Sequence, residues 1–304
     1  MTARLRPLLL TAALLLGACG TANDVAPVAA DATAPTAGQH FLWVLERDNS
    51  ATYFLGSVHA LRADDYPLPE ALTAAYENAD TLTMELPVND LDPVAMAATT
   101  RRLGFLPAGD SLRDWLTPGD YASAAAKGAA LGIDLARFDA LEPWLAALTI
   151  LNVQMMQTGF TPDAGIEAHF GALARGDGKA VEGLETLEEQ LGIFDSLSHA
   201  EQVRLLLNTL DDVSDLDAGM QTLVDAWRSG DEAALEAELT AGFEGLPGMY
   251  QALVVDRNLR WLEPIEALAG TPGSHLVIVG AMHLIGSDSV IALLRDRGYR
   301  LRRL

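Results

Sequence analysis

Leu276-Val277-Ile278-Val279-Gly280-Ala281-Met282-His283 is the stretch that decides how this chain is read. An unbroken apolar run rich in β-branched residues has the composition of a strand buried on both faces, as in a parallel sheet. A glycine ends the run, and a histidine follows three positions on. The same order stands near the other end of the chain, in Thr52-Tyr53-Phe54-Leu55-Gly56-Ser57-Val58-His59. The chain has only six histidines in 304 residues, and two of them share this setting. Only folding can bring them together, so the pattern points to a paired-histidine site.

Working outward from the second copy, the spacing predicts a strand over 275–279, a helix over 290–297, Gly298 as its stop, and a strand over 299–304. Around the first copy, a strand over 41–45 and the turn Arg47-Asp48-Asn49-Ser50 predict a hairpin with the run over 52–55. A helix over 68–78 follows, and then a third strand over 81–86 with Glu85 near its carboxyl end. Lys179-Ala180-Val181-Glu182-Gly183-Leu184 reads as a strand with Glu185 at its end. Ala- and Leu-rich helical periodicity fills 93–173 and 187–241. A last long helix over 249–269 carries Arg257 and Asn258 and is expected to bend or break at Pro264. The fold class is therefore α/β (α+β): a central mixed β-sheet with functional loops at strand ends and a large helical middle region over about 93–269.

The amino-terminal residues carry different information. Arg4 and Arg6 precede an apolar run over 8–16, too short for a stable membrane anchor. Leu16-Gly17-Ala18-Cys19 resembles a bacterial lipobox. Residues 1–18 are read as a lipoprotein signal peptide and Cys19 as the lipidated residue, with a disordered tether over 19–38 and the folded body over 39–304. The expected location is outside the cytoplasm, on a membrane through the lipid anchor. Gly20 after the cysteine favours the outer membrane, facing the periplasm. Cys19 is the only cysteine, so disulfides and a cysteine nucleophile are excluded. The net charge of −22 repels phosphate backbones, which argues against a nucleic-acid partner.

His59, Glu85 and His283 all fall at or just past the carboxyl end of an expected strand, where open α/β sheets place their ligands. Two imidazoles and a carboxylate suit a divalent metal such as Mn, Co, Zn or Fe, with positions left open for water. A glycine three positions before each histidine lets the backbone turn sharply there. There is no Gly-x-Ser-x-Gly elbow, no phosphate-binding glycine loop and no His-Glu-x-x-His helix. His40, His169, His199 and His275 lie apart from both motifs and are read as structural or exposed.

Phe54-Leu55-Gly56-Ser57-Val58-His59, Met84-Glu85-Leu86 and Val279-Gly280-Ala281-Met282-His283-Leu284-Ile285-Gly286 together resemble the TraB/PrgY/GumN family, which includes the TIKI proteins. Further matches lie between them: Glu142-Pro143-Trp144, Gly165-Ile166-Glu167, Leu184-Glu185-Thr186 with Gln190, Arg257-Asn258 and Gly298-Tyr299. The resemblance spans about residues 40–304. It implies a metal-dependent hydrolase acting on peptide or protein substrates, with His59, Glu85 and His283 as metal ligands. Glu85 or Glu185 can instead serve as general base, and Arg257 can hold a carboxylate or stabilise an oxyanion. The bland alternative for Arg257 is a structural ion pair. Glu167 stands where the family has aspartate, which argues against a direct role for it. The rival to catalysis is a binding or regulatory protein that sequesters a peptide or polysaccharide.

Overall fold

The computed structural model describes residues 39–87 and 91–304; the expected leader, Cys19 and the tether lie outside the described residues. The described strands form one six-stranded sheet in the order β4-β3-β5-β2-β1-β6. They are β1 (Leu42–Arg47), β2 (Ser50–Ser57), β3 (Thr81–Met84), β4 (Ala180–Gly183), β5 (Gly273–Gly280) and β6 (Leu301–Arg303). The fold is α/β, as the sequence predicts.

The expected hairpin is present. Arg47 pairs with Ser50, which leaves Asp48 and Asn49 as its two-residue loop. β2 runs parallel to β5 from Ser50↔Gly273 to Ser57↔Gly280. β3 runs parallel to both β5 and β4, whereas β1 is antiparallel to β2 and β6. The sheet is therefore mixed, with its parallel part at β4-β3-β5-β2. Leu276, Val277, Ile278 and Val279 are wholly buried, which accounts for their unbroken apolarity.

The closing unit differs from a simple β-α-β repeat. Both sides of β5 are already paired, to β2 and β3, so the last strand crosses to the far edge and runs antiparallel to β1. Gly298, at φ +91°, makes the stop before that crossing.

Helix α1 (Glu70–Asn78) links β2 to β3. Between β3 and β4 lie α2 (Pro93–Gly104), α3 (Leu112–Trp115), α4 (Pro118–Ala130), α5 (Pro143–Gln157) and α6 (Ile166–Asp177). Between β4 and β5 lie α7 (Leu187–Asp195), α8 (His199–Asp212), α9 (Leu216–Ser229), α10 (Glu232–Ala241), α11 (Pro247–Tyr250) and α12 (Asp256–Gly270); α13 (Val290–Asp296) follows β5. β4 thus divides the helical middle region in two. Proline at the first turn opens α2, α4 and α5, where its missing N–H has no intrahelical partner to lose. α5 is apolar almost all round and sits inside, with Trp144 stacked on Phe194 of α7 at 5.7 Å. Among the described residues, no helix is long and apolar enough to cross a membrane.

The expected break at Pro264 is corrected. α12 runs through Pro264, which lies on an exposed part of the helix where water can serve the freed carbonyl. The irregularity lies earlier, as a π turn over Gln251–Val255 that leads directly into Arg257. π turns of this kind are frequent at functional sites.

Candidate functional site

The strand register gathers the site. β2 and β5 end together at Ser57↔Gly280, and Met84 pairs with both Ile278 and Gly183. Their carboxyl ends therefore form one edge, from which His59, Glu85, Glu185 and His283 emerge. Backbone bonds extend the β3–β4 alignment one step further, with the Glu185 N–H donating to the Glu85 carbonyl at 3.1 Å. α12 brings Arg257 to the same place. All five side chains are buried, and none is more than 7% exposed.

Arg257 is the hub. Its Nε–H donates to Glu185 Oε2 at 3.1 Å, and Nη2 donates to Glu85 Oε2 and Glu185 Oε1. Nη1 donates to the Leu253 carbonyl at 3.2 Å, at the π turn, and to His283 Nε2 at 3.1 Å. A guanidinium has five N–H donors, and all five are engaged. Its plane also lies over Trp261, 4.6 Å from the ring centre. Arg257 does hold carboxylates, but they are the protein's own. It makes the ion pair that the sequence left open, and all its donors are engaged within the protein.

The carboxylates respond in opposite directions. Burial pushes Glu85 up, but Arg257, the two histidines and the Gly280 N–H at 2.7 Å outweigh it, leaving the carboxyl at about 2. Glu185 is pushed above its ordinary value by burial and by Glu85, against Arg257 and Gln190, whose Nε2 donates to Oε1 at 3.0 Å.

His283 has a determined tautomer. Arginine cannot accept a hydrogen bond, so Nε2 must be the acceptor of Nη1. Nδ1–H then donates to Asn258 Oδ1 at 2.6 Å, and Asn258 Nδ2 donates to the Asp288 carbonyl at 2.8 Å, which fixes the amide's orientation. Trp261 packs on the ring at 4.5 Å between centroids. Burial, Arg257 and His59 push this imidazole down to about 3, against the pull of Glu85, so it is neutral.

His59 is different. Its Nδ1 lies 2.7 Å from Glu167 Oε1, a close electrostatic contact whose angle departs from that of a ring N–H hydrogen bond. Its Nε2 is buried and has no hydrogen-bond partner among the described residues. Burial alone would lower this imidazole, but Glu167 and Glu85 raise it above its ordinary value. Glu167 Oε1 also accepts from Ser57 Oγ. Glu167, whose direct role the sequence put in doubt, thus stands beside His59 on the first turn of α6, where the helix dipole favours an acid. Its signal in the sequence was Gly165, where a Cβ would fall 2.1 Å from the His59 carbonyl oxygen. Only glycine lets α6 start against that loop. Asn258, Gln190 and Ser57 complete the cluster, although no role was read for them from the sequence.

Neither motif glycine serves a left-handed turn, because neither has positive φ. What each provides is space. A Cβ on Gly280 would meet His59 Nε2 at 3.2 Å, Glu85 Oε1 at 3.3 Å and His283 Cδ2 at 3.6 Å. A Cβ on Gly56 would meet Ala281 Cα and Phe41 Cβ at 3.1 Å.

The three residues expected to hold a metal ion do converge on Gly280. Their donors, however, do not fit an ion as they stand. His283 Nε2 has one lone pair, and it faces Arg257. Glu85 Oε2 is engaged by the same guanidinium, and Glu85 Oε1 and His283 Nε2 are 3.8 Å apart. Glu85 Oε1 accepts from the Gly280 N–H, and among the described residues only His59 Nε2 of these donor atoms has no hydrogen-bond partner. Among the described residues, no group of His, Cys, Asp or Glu side chains is set out to hold a metal ion.

Comparison with known proteins finds relatives that match most of the chain. Proteins named "Uncharacterized protein YbaP" from Shigella flexneri and Escherichia coli (strain K12) are each 26% identical over 263 residues, covering 85% of this chain and 94% of the relative. No solved structure matches. A family model described as TraB/PrgY/gumN matches residues 41–303, which include both Gly-x-x-His motifs, Glu85, Glu185 and Arg257. The chain thus belongs to the TraB/PrgY/gumN family.

Proposed function

We propose that this chain is a hydrolase in which His59 acts as general base on an attacking water at the carboxyl edge of the sheet. One observation carries the reading: His59 Nε2 is buried without a hydrogen-bond partner among the described residues, while Nδ1 faces the carboxylate of Glu167. A carboxylate behind an imidazole holds the ring and stabilises the imidazolium that forms on proton transfer. In the proposed step water attacks the substrate carbonyl and gives its proton to His59 Nε2. His59 then returns that proton to the leaving amine as the C–N bond breaks. Peptide bonds are the substrate class that the resemblance to TIKI implies.

A second reading, a non-catalytic protein that sequesters a peptide or polysaccharide, is favoured by the inward pairing of the remaining polar groups, Arg257 above all. The two are separated by following new amino termini released from unfolded casein, and casein binding in parallel, with wild type and His59→Ala. Turnover in wild type that falls a hundredfold or more in His59→Ala, with binding retained, supports the hydrolase. Binding without turnover in wild type sinks it and leaves the sequestering role.

A further inference from the structure

We infer that Arg257 is the resident cation of this site and that the cluster works without a bound divalent metal ion. The inference stands on the bonds of the cluster and not on the hydrolase reading. A metal held by His59, Glu85 and His283 needs the His283 Nε2 lone pair, which accepts from Arg257 Nη1 at 3.1 Å. Turning the ring to offer Nδ1 instead breaks the 2.6 Å bond to Asn258, whose own amide is anchored on the Asp288 carbonyl. The other route is to move Arg257 aside. That guanidinium is 0% exposed, lies over Trp261 and is held from both ends by Leu253 and two carboxylates. Displacing it within the core would strand a buried charge, and an incoming dication would sit beside that charge. Arg257 already does what a metal would do for Glu85: it keeps the carboxylate ionised inside the protein. On this account His283 holds Arg257 in place and does not hold an ion.

The test uses the full chain. Wild type and His59→Ala are incubated with Mn²⁺, Co²⁺ or Zn²⁺, desalted, and their metal content is measured, with thermal unfolding recorded in EDTA and in each metal. His59 makes no bond to Arg257, so His59→Ala leaves the hub in place and keeps the comparison readable. The expected result is metal far below one ion per chain in both proteins, with a melting temperature that neither EDTA nor metal moves. A stoichiometric ion held by wild type and lost from His59→Ala overturns the inference. So does a metal-dependent rise of several degrees in wild type that vanishes in His59→Ala. Because no substrate enters the measurement, its failure is distinct from failure of the hydrolase reading.

Discussion

The two Gly-x-x-His motifs share a sequence pattern, a sheet edge and depth of burial, yet their histidines are in opposite chemical states. His283 has both ring nitrogens bonded, a ring packed on Trp261, and an imidazole pushed down to about 3. His59 has a carboxylate at one nitrogen, nothing at the other, and an imidazole pushed up. The repeated motif therefore determines position, and the chemistry is set by what each ring meets. An arginine and an asparagine make a neutral, immobile histidine. A glutamate makes one that holds its proton above the ordinary imidazole range.

The largest effect should come from removing the residue that creates the contrast. Arg257→Met leaves Glu85 and Glu185 buried without their counter-charge, and breaking a buried pair in this way costs about 3–5 kcal/mol. Urea unfolding should show that loss. Adding Glu85→Gln and Glu185→Gln to Arg257→Met should recover part of it, since no uncompensated charge then remains. Full stability in the single variant would mean that the hub does not organise the site.

Next in size is the direct comparison of the two rings. His283→Ala strands an Arg257 donor and the Asn258 acceptor and empties the space against Trp261, at a cost of about 2–4 kcal/mol. His59→Ala removes a ring that satisfies no donor elsewhere, so its cost should be smaller, about 1–2 kcal/mol. The activity order should be the reverse, with His59→Ala the more damaging per folded molecule. Equal losses of stability from both substitutions would erase the distinction.

Much of this was legible in the sequence, for identifiable reasons. Leu276-Val277-Ile278-Val279 announced a two-sided strand because burial on both faces leaves no polar position to confuse the period. The strand-end placement of His59, Glu85, Glu185 and His283 followed from that. Partnership did not follow, because it depends on long-range packing. Gly165 marks a close approach before α6, but nothing local says that the approach is to the His59 carbonyl. Nor does Arg257 reveal that all its donors will be met within the protein. The path of β6 was hidden for a similar reason: the sequence shows a strand but not that both sides of β5 are taken.

The motif glycines offer a finer comparison. Gly280→Ala and Gly56→Ala both press a methyl into contacts of 3.1–3.3 Å, and overpacking of this kind costs about 1–3 kcal/mol. Their activities should part. The Gly280 methyl points at His59 Nε2 and Glu85 Oε1 and should lower kcat sharply. The Gly56 methyl meets Ala281 and Phe41 and should leave the activity of the folded fraction close to wild type. The same kcat loss in both variants would show that His59 Nε2 is not where water is activated.

The smallest and most diagnostic effect is in the dependence of stability on pH. The His283 imidazole is depressed, so below about 6.5 the unfolded chain takes up a proton that the folded one refuses until about 3. Its contribution is present above pH 6.5 and is lost as pH falls, with a slope of at most about 1.4 kcal/mol per pH unit. Glu85, held at about 2, adds loss of the same sign below about pH 4.5. His59 is raised, so its contribution has the opposite sign: present in full below 6.5 and lost as pH climbs through its folded value. Denaturation midpoints taken from pH 4 to 9 should therefore show His283→Ala flattening the acid arm and His59→Ala flattening the arm that begins above about 6.5. The same deprotonation of His59 that weakens the fold frees Nε2 as a base, so turnover should rise over the pH range in which this arm of stability falls. If both substitutions flatten the same arm, the two motifs hold histidines of one kind, and the division of labour between them is lost.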